Sequence, residues 1–262
     1  MTIPKILAIQ FRFNPVAIEQ EQECFTREIG TDTEVDFVSA LDQSIDWQYP
    51  EVILEGYGGV ILGGSGDLDF DGGRPVDDPA RQLSYEVLGR LRPLFSYLFE
   101  NDVPTLGICY GHQILGAFAG AQVHSDPAQK KVASHQVKLL VDKNEYFLFS
   151  DLPDVFHGHY RHKDVLDRVP EGSVLVMQGG EQCQVSALKY KNNIFSMQFH
   201  PELTYNDMVN RALNTPGYIP EGAAVEEIFK DDPSSNTIIR NFGRFVATLG
   251  ERSNSRVLLS VE

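Results

Sequence analysis

Pro104 to Gln113 reads PTLGICYGHQ: an apolar run, then Gly107-x-Cys109-x-Gly111, then the approach to a helical pattern that begins near Ile114. Strand, glycine-flanked cysteine and helix, in that order, have the logic of a nucleophile elbow. Glycines two positions either side permit a strained turn and let the backbone pack closely, so the side chain is lifted toward solvent. At the N-terminus of the following helix, unpaired N–H groups and the helix dipole favour a thiolate over a thiol. The same N–H groups could receive an oxyanion. A lone cysteine is more often a small buried hydrophobe, and the elbow pattern by itself leaves both readings open.

Toward the N-terminus, Lys5 to Phe11 reads as an apolar strand, Ala17 to Ile29 as a helix and Thr33 to Ala40 as a second strand. Gly58 to Leu62 is a third apolar run, ending in Gly63-Gly64-Ser65-Gly66; Ala80 to Glu100 has helical spacing, with Pro93 as a kink, and leads into Val103 to Ile108. Apolar strands without strict alternation, interleaved with helices, predict an α/β fold: a doubly wound, mostly parallel sheet with helices on both faces. Beyond the elbow the spacing tightens to Ala133–Val141, Val155–His159, Ser173–Gln178, Gln184–Tyr190 and Asn193–Phe199, the last two joined around Lys191-Asn192-Asn193. Such hairpin spacings predict an antiparallel extension of the sheet. Thr204 to Asn236, rich in Pro, Gly and Asp, is expected to be an irregular rim or lid with a short helix at Ala223–Phe229. An amphipathic helix follows from Ser235 to near Gly250. A single domain is expected over 1–252, with an insertion at about 204–235 and a flexible tail at 253–262.

A second motif lies in Ile194 to Glu202, IFSMQFHPE, where an apolar strand delivers His200 at its C-terminal edge. One backbone bend at Pro201 can aim His200 and Glu202 at each other, so that the carboxylate fixes the imidazole tautomer. In a doubly wound sheet active sites gather beyond the carboxyl ends of the strands. Both Cys109 and His200 sit at such ends, and together they turn the buried-hydrophobe reading of Cys109 into that of a nucleophile with a base and an orienting carboxylate.

Composition removes several other classes. The 262 residues are 42% hydrophobic, ample for the core of one large domain. A net charge of −15 offers no basic groove for nucleic acid. No run of eighteen apolar residues and no leader pattern occur, which makes the expected location cytoplasmic, away from any membrane. Cys24, Cys109 and Cys183 are far apart and form no C-x-x-C pair, so neither a disulfide framework nor a thiolate zinc site is expected. The run His157-Gly158-His159-Tyr160-Arg161-His162 places His157 and His159 on one strand face. Without a carboxylate or cysteine at ligand spacing it reads as the lining of a substrate cleft rather than a metal site. No Walker-type phosphate loop is present.

Gly107-Ile108-Cys109-Tyr110-Gly111-His112-Gln113 and Gln198-Phe199-His200-Pro201-Glu202 together resemble the class I glutamine amidotransferases, a family with a Cys-His-Glu triad. It includes the glutaminase parts of GMP synthetase and carbamoyl-phosphate synthetase. The resemblance runs from about Lys5 to Leu203 and implies a flavodoxin-like fold, with Cys109, His200 and Glu202 as the catalytic residues. Leu62-Gly63-Gly64-Ser65 stands where the family carries a glycine loop, implying oxyanion donors at Gly64 and Tyr110. His162-Lys163-Asp164, ahead of Pro170, matches a family segment whose backbone holds the α-amino and α-carboxylate groups of glutamine. Gly63, Gln113, Arg161 and His162 are accordingly the candidate substrate-binding residues. Two departures bear on the substrate: Lys131-Val132-Ala133-Ser134 replaces a Glu-x-Gly common among relatives, and Arg161 replaces a usual serine. The resemblance implies hydrolysis of glutamine, or of a γ-glutamyl amide, through a Cys109 thioester, without metal or redox cofactor. A separate synthetase in trans would then take the ammonia. A self-sufficient γ-glutamyl peptidase is the alternative, and a non-catalytic regulatory module, against which the intact triad weighs, is a third.

Overall fold

A computed structural model of the chain describes residues 3–129, 131–181, 183–214 and 224–259. In chain order the elements are β1 (Lys5–Gln10), α1 (Pro15–Ile29), β2 (Glu34–Ser39), α2 (Pro50–Ile53), β3 (Tyr57–Leu62), α3 (Pro79–Asn101), β4 (Thr105–Ile108) and α4 (Tyr110–Phe118). There follow β5 (Val123–Ser125), β6 (Lys131–Leu139), β7 (Val155–His162), β8 (Asp164–Leu166), β9 (Val174–Gln178), β10 (Ala187–Lys189), β11 (Ile194–Met197), α5 (Tyr205–Asn214), α6 (Val225–Ile228) and α7 (Asn236–Leu259).

The strand KILAIQ of β1 shows why the sheet must be covered on both faces. Ile6 and Ala8 enter one apolar cluster while Leu7 and Ile9 enter another, and all four are buried. Phe25 and Ile29 of α1 and Ile238, Phe242 and Val246 of α7 belong to the first cluster. Leu91, Leu94 and Phe95 of α3 and Ile114 of α4 belong to the second. Helix α1 begins where its sequence says it should: Pro15 occupies the first turn and the Asn14 carboxamide accepts from Val16 N–H (2.9 Å) and Ala17 N–H (3.3 Å).

The nine strands of the main sheet run in the order β2-β1-β3-β4-β11-β10-β9-β6-β7. Pairing is parallel from β2 through β11 and antiparallel from β11 onward. The expected antiparallel extension therefore forms, with one difference: β11 also pairs in parallel with β4, Met197 standing opposite Ile108. The segment read as the end of a hairpin is thus a central strand beside the elbow.

Three further expectations change. Helix α4 starts at Tyr110 rather than near Ile114, so Cys109 is its N-cap. The segment after Thr204 is more regular than its composition predicts: α5 fills Tyr205–Asn214, and Met208 and Ala212 pack with Cys24, Leu203 and Phe229 in a small third cluster. The helix expected at Ala223–Phe229 is the short α6, while 215–223 lie outside the described residues. Finally, α7 continues past its expected end near Gly250 to Leu259; 260–262 lie outside the described residues. Among the described residues no helix is long and apolar enough to cross a membrane.

Candidate active site

Cys109 leaves β4 with φ 54° and ψ −101°, a backbone conformation that L-residues rarely adopt and that persists only where surrounding structure holds it. Its own N–H donates to Met197 O (2.8 Å), and Gly111 N–H donates to Gly63 O (3.0 Å). The two elbow glycines are needed for space. A Cβ on Gly107 would lie 2.7 Å from Gly111 O, and one on Gly111 would collide with Leu62 O, both backbone atoms that cannot step aside. Gly111→Ala is expected to destabilise the protein by about 3 kcal/mol, the overpacking cost of a rigid site, read as a fall in the urea midpoint at unchanged slope.

Because β11 lies parallel beside β4, the chain leaving Met197 brings His200 to the same sheet edge as Cys109. His200 N–H donates to His159 O (2.8 Å), and its Nδ1 lies 2.7 Å from Glu202 Oε1. His200 and Glu202 are both buried. A Cβ placed on Gly64 would stand 3.0 Å from Arg12 Nη2, 3.2 Å from His200 Cε1 and 3.7 Å from Cys109 Cβ, so these groups converge on one point. Burial alone would lower the His200 pKa; the Glu202 carboxylate, then the Cys109 sulfur and hydrogen bonds to both, overcome it and raise it to about 9. Glu202 is lowered although its burial works the other way, mainly by His200. Imidazole and carboxylate thus form a buried ion pair beside the cysteine.

Two further histidines are held neutral. Burial lowers His112 to about 3, with Nδ1 2.7 Å from Ser196 Oγ and Nε2 3.2 Å from Val185 O. Burial, and then the charge of His200, lower His159 to about 4, and its Nδ1 meets Ser134 Oγ at 2.8 Å. Groups with depressed histidine pKa values contribute stability that is present above the ordinary 6.5 and is lost as pH falls toward 4 and 3. The urea midpoint is accordingly expected to fall between pH 7 and pH 5, and to fall less in His159→Gln.

Cys109 and His200 face a cavity of about 440 Å³ whose lining also includes Gln113, Arg161 and His162. Gln113 Nε2 donates to Asp164 O (2.9 Å) and Gln198 Oε1 (3.2 Å), which fixes its carboxamide. Cys109 Sγ lies 3.7 Å from Arg161 O. Gly63 does not line the cavity; its carbonyl ties the glycine loop to the elbow. Tyr110 N–H, at the first position of α4, donates to no acceptor among the described residues, as a donor awaiting a ligand would. The other expected oxyanion donor differs: Gly64 N–H is taken by Glu21 Oε1 at 3.1 Å. It reaches the site only after turning away from that carboxylate. No group of three His, Cys, Asp or Glu side chains among the described residues could hold a metal ion.

The sequence profile of the Glutamine amidotransferase class-I family matches residues 31–215, a span that contains the elbow, His200 and Glu202. The chain belongs to the class I glutamine amidotransferases. Among its relatives, a glutamine-hydrolyzing GMP synthase subunit of Methanocaldococcus jannaschii is 37% identical over 112 residues, 42% of this chain and 57% of that one. The protein of the same name from Methanopyrus kandleri is 26% identical over 159 residues, 60% of this chain and 73% of that one. The chain thus spans a little over half the length of the first relative. A glutamine amidotransferase from Thermotoga maritima shares the fold at a TM-score of 0.67 with 20% identity, covering 94% of this chain and 99% of that one. One from Methylobacillus flagellatus does so at 0.59 with 17% identity, covering 94% and 92%.

Two residues of the candidate site carry no motif. Arg12, just past β1, donates from Nε to Glu21 Oε1 (2.9 Å), and Glu21 Oε2 accepts from Gln10 Nε2 (3.0 Å). Glu21 is fully buried on α1, and a buried charge requires a partner. That requirement was the available signal: a glutamate on the same inward stripe as Cys24, Phe25 and Ile29.

Proposed function

We propose that the chain hydrolyses the γ-carboxamide of glutamine, or a γ-glutamyl amide, through a thioester on Cys109. The observation that carries this reading is Cys109 held at positive φ at a strand end, beside a His200 paired to buried Glu202 at 2.7 Å. The thiolate attacks the γ-carbonyl carbon and Tyr110 N–H receives the oxygen. Gly64 N–H joins it once released from Glu21. With Nδ1 on Glu202, the Nε2–H of the His200 imidazolium hands its proton to the departing nitrogen as the C–N bond breaks. Water then attacks the thioester, His200 takes the water proton, and the thiolate leaves glutamate behind. Gln113, Arg161 and His162 hold the glutamyl end of the substrate.

The relatives named as one subunit of a GMP synthase point to a separate synthetase as the consumer of ammonia when glutamine is the substrate. The test is incubation of the purified chain with glutamine and with γ-glutamyl dipeptides, measuring glutamate. Release from at least one substrate, dependent on Cys109, is the expected result, and silence on all of them would overturn the reading.

A further inference from the structure

We infer that Arg12 is a carboxylate receptor on the leaving-group side of Cys109, so that the preferred substrates are γ-glutamyl compounds whose departing amine itself carries a carboxylate. The inference rests on the γ-glutamyl hydrolysis proposed above and narrows its substrate class to γ-glutamyl amino acids and peptides.

Arg12 is only 9% exposed, yet it lines the cavity. Glu21 takes its Nε–H, and this contact, braced by Gln10, fixes the plane of the guanidinium. The amino groups at Nη1 and Nη2 donate to no acceptor among the described residues. A guanidinium on the cavity wall, with its fork unmet by protein, offers that fork to an acceptor in the cavity. The planar fork matches a carboxylate in two-point geometry.

Position identifies which part of the substrate that acceptor belongs to. His200 must protonate the departing nitrogen, so the leaving group lies against His200. Arg12 Nη2 and His200 Cε1 flank the same point, 3.0 and 3.2 Å from where a Gly64 Cβ would be. An amino acid departing on the His200 side carries its carboxylate on the carbon next to that nitrogen, toward the cavity wall that Arg12 forms. Ammonia has nothing to offer it. From Arg12 the cavity wall continues along Asn14, Ala17 and Gln20, at the positive end of the fifteen-residue α1, which also favours an anion. Asp67 on the same wall opposes it, though one of its oxygens accepts from Phe13 N–H (2.9 Å).

The chemistry requires no co-reactant beyond water. The γ-amide C–N bond breaks as the C–S bond forms, the amino acid leaves with the His200 proton, and hydrolysis of the thioester restores the thiolate.

The test separates binding from turnover by using Cys109→Ala protein and calorimetry with γ-glutamylglycine and γ-glutamylglycinamide, which differ only in the distal carboxylate. The free acid is expected to bind about 10- to 100-fold more tightly, the range of a charge-assisted hydrogen-bond pair. Removing Arg12 alone would strand Glu21, so the comparison is repeated with Arg12→Gln and Glu21→Gln together in the Cys109→Ala protein. There the preference is expected to vanish. Equal affinities, binding of neither ligand, or a preference that survives the double replacement overturns the inference. Failure of the hydrolysis reading is visible separately: wild-type protein that cleaves neither compound nor glutamine rejects catalysis, whatever the binding ratio.

Discussion

Cys109→Ala is expected to lower turnover of every γ-glutamyl substrate by about 10⁴-fold or more, the effect of removing a group that acts as one unit with its base. The melting temperature should stay within a few degrees, because a residue at 3% exposure loses only one atom and keeps the elbow backbone. The other two thiols cannot substitute. Cys24 is pushed up to about 11 by burial and stays protonated, and both it and Cys183 are buried outside the cavity lining. Acid quenching of the wild type during turnover should trap a glutamyl adduct on the peptide containing Cys109. Activity undiminished in the variant, or an adduct on another residue, would reject the thioester route.

The parts of this site that the sequence made legible are those encoded within a few residues. Gly107-Ile108-Cys109-Tyr110-Gly111 specifies its own turn because a Cβ at either glycine would meet backbone. His200 and Glu202 meet across one bend at Pro201. What escaped reading depends on long-range partners. The apolar run of β11 is buried on both faces, so its pattern does not say which neighbour it joins or in which direction. Tyr110-Gly111-His112-Gln113 contains weak helix formers, and α4 begins there because Cys109 O accepts from His112 and Gln113 N–H while tertiary packing holds the turn. Arg12 and Glu21 share no motif; only the folded chain brings β1, α1 and the Gly64 loop together. Gly64 itself was legible as a loop glycine, but the carboxylate that occupies its N–H was not.

Glu202→Gln is expected to lower kcat/KM by about 10²- to 10⁴-fold, the scale seen when a triad loses its orienting carboxylate. It should also move the basic limb of the pH profile. In the wild type the imidazolium proposed to protonate the leaving nitrogen persists up to about pH 9, because Glu202 and the Cys109 sulfur outweigh burial. A glutamine in place of Glu202 removes the larger of those two attractions and leaves the burial that disfavours charge, so the limb must shift to lower pH. Stability carries the same sign. A histidine raised from 6.5 to about 9 on folding contributes stability that is complete below 6.5 and is lost as pH climbs through 9. That loss is on the order of 3 kcal/mol at about 1.4 kcal/mol per pH unit. The wild-type urea midpoint should therefore decline between pH 6.5 and 9 more steeply than that of Glu202→Gln, after allowance for groups common to both. A basic limb that stays at the same pH in the variant would assign it to a group other than His200. Parallel stability profiles would remove Glu202 as the source of the imidazolium's stabilisation.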